Sequence, residues 1–185
     1  NCSSLDEFRI PDHIPSMGEY CFSGCTSLKK MVVGSGIEQL HKGTYQNCTS
    51  LVDMTIGINV DTIETSVFYN CSSLPVINIP QVTKNVADSV FYDCASLSLV
   101  VFENRADSIV LGSNGASPMF SSCPLDSVYV GGRLKYTTTS GRGYSPFYGN
   151  KYLRSLTYND VETTIYGKEY MNCSNLQNVH LGNGI

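Results

Sequence analysis

Phe68-Tyr69-Asn70-Cys71-Ser72-Ser73-Leu74, followed by Ile77 and Ile79, decides the fold, because nearly the same phrase recurs along the whole chain. Seven of the eight cysteines sit in copies of it: Cys2, Cys25, Cys48, Cys71, Cys94, Cys123 and Cys173. The first four steps between them are 23 residues each, and the fifth is 29. Asn150 fills the next slot, 27 residues after Cys123 and 23 before Cys173. An aromatic residue precedes every slot but the first by three places: Phe22, Tyr45, Phe68, Phe91, Phe120, Phe147 and Tyr170. A fixed period of this length marks a solenoid and takes precedence over any local motif.

Behind each slot the pattern holds its offsets. A leucine follows at +3 and apolar residues at +6 and +8, as in Leu28/Met31/Val33, Leu51/Met54/Ile56, Leu74/Ile77/Ile79 and Leu97/Val100/Phe102. Leu125/Val128/Val130 arrives one residue early. Alternation at +6 and +8 is the period of a short strand with one buried face. A second apolar pair at +12 and +15 appears in Ile37/Leu40 and Val60/Ile63 and blurs in later repeats. Each coil therefore reads as a strand, a turn, a second apolar arm and an aromatic corner. The expectation is one domain over residues 1–185, with coils starting at 2, 25, 48, 71, 94, 123, 150 and 173. That makes about seven coils, rich in short parallel strands and poor in helix. Both ends fall inside a repeat, so the chain reads as a piece of a longer array.

The cysteines share one place in successive coils and should form a file of side chains: Cys2, Cys25, Cys48, Cys71, Cys94, Cys123, Asn150 in the cysteine-free slot, and Cys173. Side chains in register point the same way, whereas a disulfide needs a torsion near 90° about its sulfurs. A ladder of buried free thiols is the favoured reading, with a disulfide or a metal site as alternatives. Zinc sites use tight pairs such as Cys-x2-Cys, which this sequence lacks. Cys21 occupies the place of Val67 and Val90 and is expected in the core. Asn precedes the slot at Asn1, Asn47, Asn70 and Asn172, giving four Asn-Cys-Ser/Thr sequences. These are formal glycosylation acceptors in a secreting eukaryote. A turn that uses Asn and Ser to cap backbone groups explains them more simply.

With the Phe-Tyr-Asn lead-in, Cys25-Thr26-Ser27-Leu28, Cys71-Ser72-Ser73-Leu74 and the 23-residue step, the chain resembles BspA-type leucine-rich repeats over nearly its whole length. The resemblance implies a right-handed curved solenoid. It also implies a surface-exposed or secreted protein, of the kind that host-associated bacteria and some parasitic protists use to engage matrix or host proteins. It carries no shared catalytic residues.

Composition narrows the remaining classes. A net charge of −4 excludes a generally basic nucleic-acid binder. No apolar run approaches the roughly 20 residues of a bilayer span. His13, His41 and His180 lie at unrelated offsets, with no cysteine or carboxylate at a ligand or triad spacing. Gly34-Ser35-Gly36 lacks the Lys-Ser/Thr of a phosphate loop, and no Gly-x-Ser-x-Gly elbow occurs. No enzyme, cofactor or metal is expected.

Interaction residues are sought where the repeat departs from its norm. Coil five carries extra chain around Ser108 to Pro118, and coil six carries Gly131-Gly132 and Ser140-Gly141-Arg142-Gly143. Both read as loops, and insertions in a solenoid map to one face. From Ser127 to Asn159 there is no acidic residue, but there are five basic and six tyrosine residues. Outward strand places nearby hold Val76, Leu99, Val101 and Tyr129, an apolar stripe of the kind that marks partner sites. Val101, Tyr129, Arg133, Lys135, Tyr136, Arg142 and Tyr144 are the candidate contacts, Tyr and Arg being enriched at hot spots. The expected function is an adhesion module that binds an extracellular host or matrix protein, or an acidic glycan, and acts as a monomer. The alternative is a spacer that holds another domain and has no ligand of its own.

Overall fold

Period-two alternation in the sequence becomes thirteen short strands among the described residues of the computed structural model. It describes residues 2–113, 119–120, 122–138, 145–159 and 170–182. In chain order these are β1 (Glu7–Arg9), β2 (Lys30–Val32), β3 (Gln39–Leu40), β4 (Asp53–Thr55), β5 (Thr62–Ile63), β6 (Val76–Ile79) and β7 (Asn85–Val86). Then follow β8 (Leu99–Phe102), β9 (Ser108–Ser113), β10 (Ser127–Val130), β11 (Arg133–Thr138), β12 (Ser155–Tyr158) and β13 (Asn178–His180). Every pairing is parallel and joins one coil to the next, so the molecule is a parallel β-solenoid with no helix among the described residues.

Two ladders run along it. The front ladder holds the strands after each slot, as β1-β2-β4 and then β6-β8-β10-β12-β13. The back ladder is β3-β5-β7-β9-β11. Register matches the repeat: Ile77 lies opposite Val100, and Val100 opposite Val128. In β6 the inward Ile77 and Ile79 are fully buried, and Val76 and Asn78 face out. Both ladders bury alternate side chains in one continuous core that includes the +3 leucines Leu28, Leu51, Leu74, Leu97, Leu125 and Leu153. A buried leucine contributes roughly 1.5–3 kcal/mol over an exposed one.

The front ladder is interrupted between β4 and β6, and a proline lies at the break. In the other coils two successive amides bond one carbonyl of the coil before, as Val52 and Asp53 do to Lys29 O and as Ser98 and Leu99 do to Pro75 O. In coil four the first of those positions is Pro75, which has no N–H to give.

The corners explain the Asn-Cys signature. Asn47, Asn70, Asp93 and Asn172, each one residue before its slot, have φ between +55° and +64°. Gly24 and Gly149 take the same place with φ of 70° and 71°. Asn, Asp and Gly are the residues that enter the left-handed region at least cost. Asn70 Nδ2 also donates to Asn47 Oδ1 (2.9 Å), so the copied asparagine links coils.

Much of the expected loop chain is strand instead. β9 and β11 are six residues each and pair along their full length, Ser108 with Arg133 through Ser113 with Thr138. Ile109, Leu111 and Leu134 are buried, so inward alternation carries on through chain that looked like insertion. Gly131 lets the turn between β10 and β11 lie against the coil before it, for a Cβ there would run into the Phe102 carbonyl.

Cys21 is exposed, contrary to expectation. Its column continues through Thr44, Val67 and Val90, all fully buried between two coils, whereas Cys21 has a neighbouring coil on one side only. The same end effect leaves Phe8, Val179 and Leu181 exposed at core offsets.

Candidate functional site

The chemistry-bearing residues fall into an internal spine and two outward surfaces. In the spine, Cys25, Cys48, Cys71, Cys94 and Cys123 are fully buried, Cys173 is nearly so, and Cys2 is exposed at the end of the file. Five of these thiols donate to the backbone of the preceding corner: Cys48 Sγ to Phe22 O, Cys71 to Tyr45 O, Cys94 to Phe68 O, Cys123 to Phe91 O and Cys173 to Phe147 O, at 3.1–3.2 Å. All eight are free thiols. Burial, reinforced by neighbouring thiols, pushes Cys48 up to about 12 and Cys71 well above the ordinary thiol value. Burial also pushes Cys94 up to about 12. Such thiols are poor nucleophiles.

Asn150 reproduces the thiol's bond and adds to it. Its Nδ2 donates to Phe120 O (2.7 Å) and Cys123 O (3.0 Å), and its Oδ1 accepts from the amides of Tyr152 (3.1 Å) and Leu153 (3.2 Å). Beside the spine the corner aromatics stack from Phe22 to Tyr170, with centroids 5.3–5.7 Å apart.

On the front surface the outward residues form two cross-strand rows. Val76, Leu99 and Ser127 make one, and Asn78, Val101, Tyr129, Thr157 and His180 make the other. Val76 is exposed, and Leu99, Val101 and Tyr129 are half-buried, so the expected apolar stripe is a contiguous patch over β6, β8 and β10. Tyr129 Oη donates to Asn104 Oδ1 (2.6 Å) in the turn after β8.

The other candidates are elsewhere. Arg133, Lys135 and Tyr136 are on β11 in the back ladder, where Lys135 pairs with Val110 and Tyr136 with Leu111. Arg133 and Lys135 are exposed, while Tyr136 is half-buried and packs against the core. The seven expected contacts are thus not one site. Val101 and Tyr129 belong to the front ladder and Arg133, Lys135 and Tyr136 to the back one, while Arg142 and Tyr144 lie outside the described residues.

Two features escaped the sequence reading. His41 does meet a carboxylate: its Nδ1 is 3.1 Å from Glu64 Oε1, because Glu64 follows it by one 23-residue step. Glu64 Oε2 also accepts from the amide of Lys42 (2.9 Å). Arg105 is buried, with its guanidinium on the carbonyls of Thr83 and Pro80 (2.7 Å to the latter). Burial lowers its pKa, against the opposing effect of Asp107 and Glu103. Thr83 Oγ1 in turn donates to Val60 O (2.7 Å). Hydrogen bonds through Thr83 and Arg105 thus replace the apolar +12 column that faded after Val60. For Thr83 the signal was a polar residue at the apolar +12 offset.

Among the described residues, no three His, Cys, Asp or Glu side chains gather to hold a metal ion, and no helix is long and apolar enough to cross a membrane.

Comparison with known proteins bears on the fold. The model of the BspA type leucine-rich repeat region matches residues 1–125 and 116–185, with six copies. No curated protein matches in sequence. The solved leucine-rich repeat protein of T. pallidum superposes with a TM-score of 0.57 at 18% identity, over 96% of this chain and 73% of that one. A leucine-rich repeat protein from Bacteroides ovatus gives 0.48 at 16% identity, over 100% of this chain and 62% of that one. A leucine-rich cell surface protein from Faecalibacterium prausnitzii gives 0.47 at 15%, over 96% and 79%.

Proposed function

This chain belongs to the BspA-type leucine-rich repeat family, and from that premise we propose that it is the binding module of a cell-surface or secreted protein, engaging a host or matrix protein. The observation that carries the reading is the patch of Val76, Leu99, Val101 and Tyr129 on the front ladder. Strand faces beside it are charged and solvated: Lys30 pairs with Asp53 (2.7 Å) and Arg154 with Asp126 (3.6 Å). An apolar and aromatic patch rimmed by such groups is the usual form of a partner site. The fold supports this use, because the interior is consumed by packing and only outward positions are free to vary without cost to stability.

Arg133 and Lys135 on the back ladder extend the surface for a partner that wraps the coil. The test is surface plasmon resonance of the whole chain over immobilised extracellular-matrix proteins. Leu99→Asp with Val101→Asp should abolish a response that Thr55→Ala leaves intact. A chain that binds no matrix protein, or binds one equally with the aspartates in place, would favour the spacer.

A further inference from the structure

We propose that the hollow beside the front ladder, between Tyr129, Asn104 and His180, binds a neutral oligosaccharide. It is an open depression of about 710 Å³, within the size range of small-ligand sites. Separate coils build it. Tyr129, Thr157 and His180 stand in one cross-strand row, and Gln81 and Asn104 come from the turns after β6 and β8.

The presented groups decide the ligand class. Asn104 Oδ1 is held by Tyr129 Oη (2.6 Å) and by Asn159 Nδ2 (3.3 Å). That fixes the amide and leaves the Asn104 Nδ2 hydrogens for a ligand. Gln81 and His180 are exposed and add a second amide and an imidazole, and Thr157 adds a hydroxyl. These groups both donate and accept, which matches sugar hydroxyls, each of which does the same. The Tyr129 ring offers apolar surface for the C–H face of a pyranose.

Charge excludes the competing ligands. Arg105 is the one arginine or lysine among the described lining residues, and its guanidinium is occupied by the Pro80 and Thr83 carbonyls. A sulfated or carboxylated glycan would find no free guanidinium or ammonium there, and leaving its charge unpaired is costly. A peptide strand has no edge to pair with at Tyr129 or Thr157, since β10 and β12 are bonded on both sides. This site therefore takes a ligand opposite in character to the acidic glycan that the basic chain around Arg142 suggested. It stands whether or not the apolar patch binds a protein.

The test titrates the whole ¹⁵N-labelled chain with cellohexaose, xylohexaose, mannohexaose and maltohexaose, and with a heparin-derived hexasaccharide as the charged comparison. At least one neutral hexaose should shift the side-chain amide resonances of Asn104 and Gln81, with a Kd of about 1 mM or tighter. Asn104→Ala and, separately, His180→Ala should each weaken that binding about tenfold, as loss of one to two ligand hydrogen bonds does. Thr55→Ala should not change it. The proposal is overturned if no neutral hexaose moves the two amides of the unaltered chain, if Asn104→Ala binds as tightly, or if the sulfated sugar binds best at this site.

Discussion

Tyr45 departs from its neighbours in the aromatic file by a single oxygen. Its ring stacks between Phe22 and Phe68, 5.7 Å from each, and its hydroxyl is buried without a hydrogen-bond partner. Burial also pushes the phenol well above its ordinary pKa. Since an unsatisfied buried hydroxyl costs about 1–3 kcal/mol, Tyr45→Phe should stabilise the fold by about that amount in a urea melt. A destabilisation would show that the hydroxyl has a partner. Asn150 presents the reverse case, a buried polar side chain with four hydrogen bonds. Asn150→Ala should cost about 2–4 kcal/mol, and Asn150→Cys less, because a thiol can still donate to Phe120 O. Equal costs would mean that the slot does not select a donor. The thiols make a third test. Burial raises the folded pKa values of the buried thiols, to about 12 for Cys48 and Cys94. The folded state thus holds protons that the unfolded chain releases, and stability falls as pH rises from about 9 towards 12. Below pH 8 the thiols add no slope. At pH 8 Cys2 and Cys21 should react with a thiol reagent, and the buried six only on unfolding. Rapid labelling of all eight would refute the buried file.

Among the elements, the front strands carry the repeat most plainly. Leu74 is fully buried behind β6, whereas Thr55 faces out from β4. Leu74→Ala should cost about 2–5 kcal/mol, and Thr55→Ala less than about 0.5 kcal/mol. Similar losses would mean the offsets are misassigned. Pro75 makes a prediction about opening: with no N–H to donate, it leaves the seam between β4 and β6 the weakest part of the front ladder. Amide exchange should be faster at Val76 than at Asp53 or Leu99, whose amides bond Lys29 O and Pro75 O. Uniform protection would show that the seam is closed by other means. The strands that the sequence disguised were β9 and β11. Ser108–Ser113 and Arg133–Thr138 hold glycine or consecutive threonines and lie where the period stretches, so they read as loop. Parallel pairing with each other supplies the bonds that their composition does not announce.

The whole molecule was legible to the extent that it is periodic. Twenty-three residues return the chain to the same place, so slot, corner and inward offsets follow from counting. Contacts between coils are equally regular, which is why Glu64 reaches His41, although that pairing shows only when the period is applied to polar residues too. Arg105 and Tyr129 were less accessible, because their partners, Pro80 O and Asn104, lie one turn away at offsets that no repeat template marks. The candidate contacts were found by composition, which cannot tell one face of a coil from the other. Hence Val101 and Tyr129 were grouped with Arg133 and Lys135 across two ladders. Each coil is stabilised by its neighbours, so one shared interior is the claim on which the outward surfaces depend. Sulfur anomalous diffraction from crystals of this chain tests it most directly. The account predicts that the Sγ atoms of Cys48, Cys71, Cys94 and Cys123 form a single file spaced about 5 Å apart, as stacked parallel strands require. Sulfurs dispersed through the molecule, or joined in pairs about 2 Å apart, would contradict it.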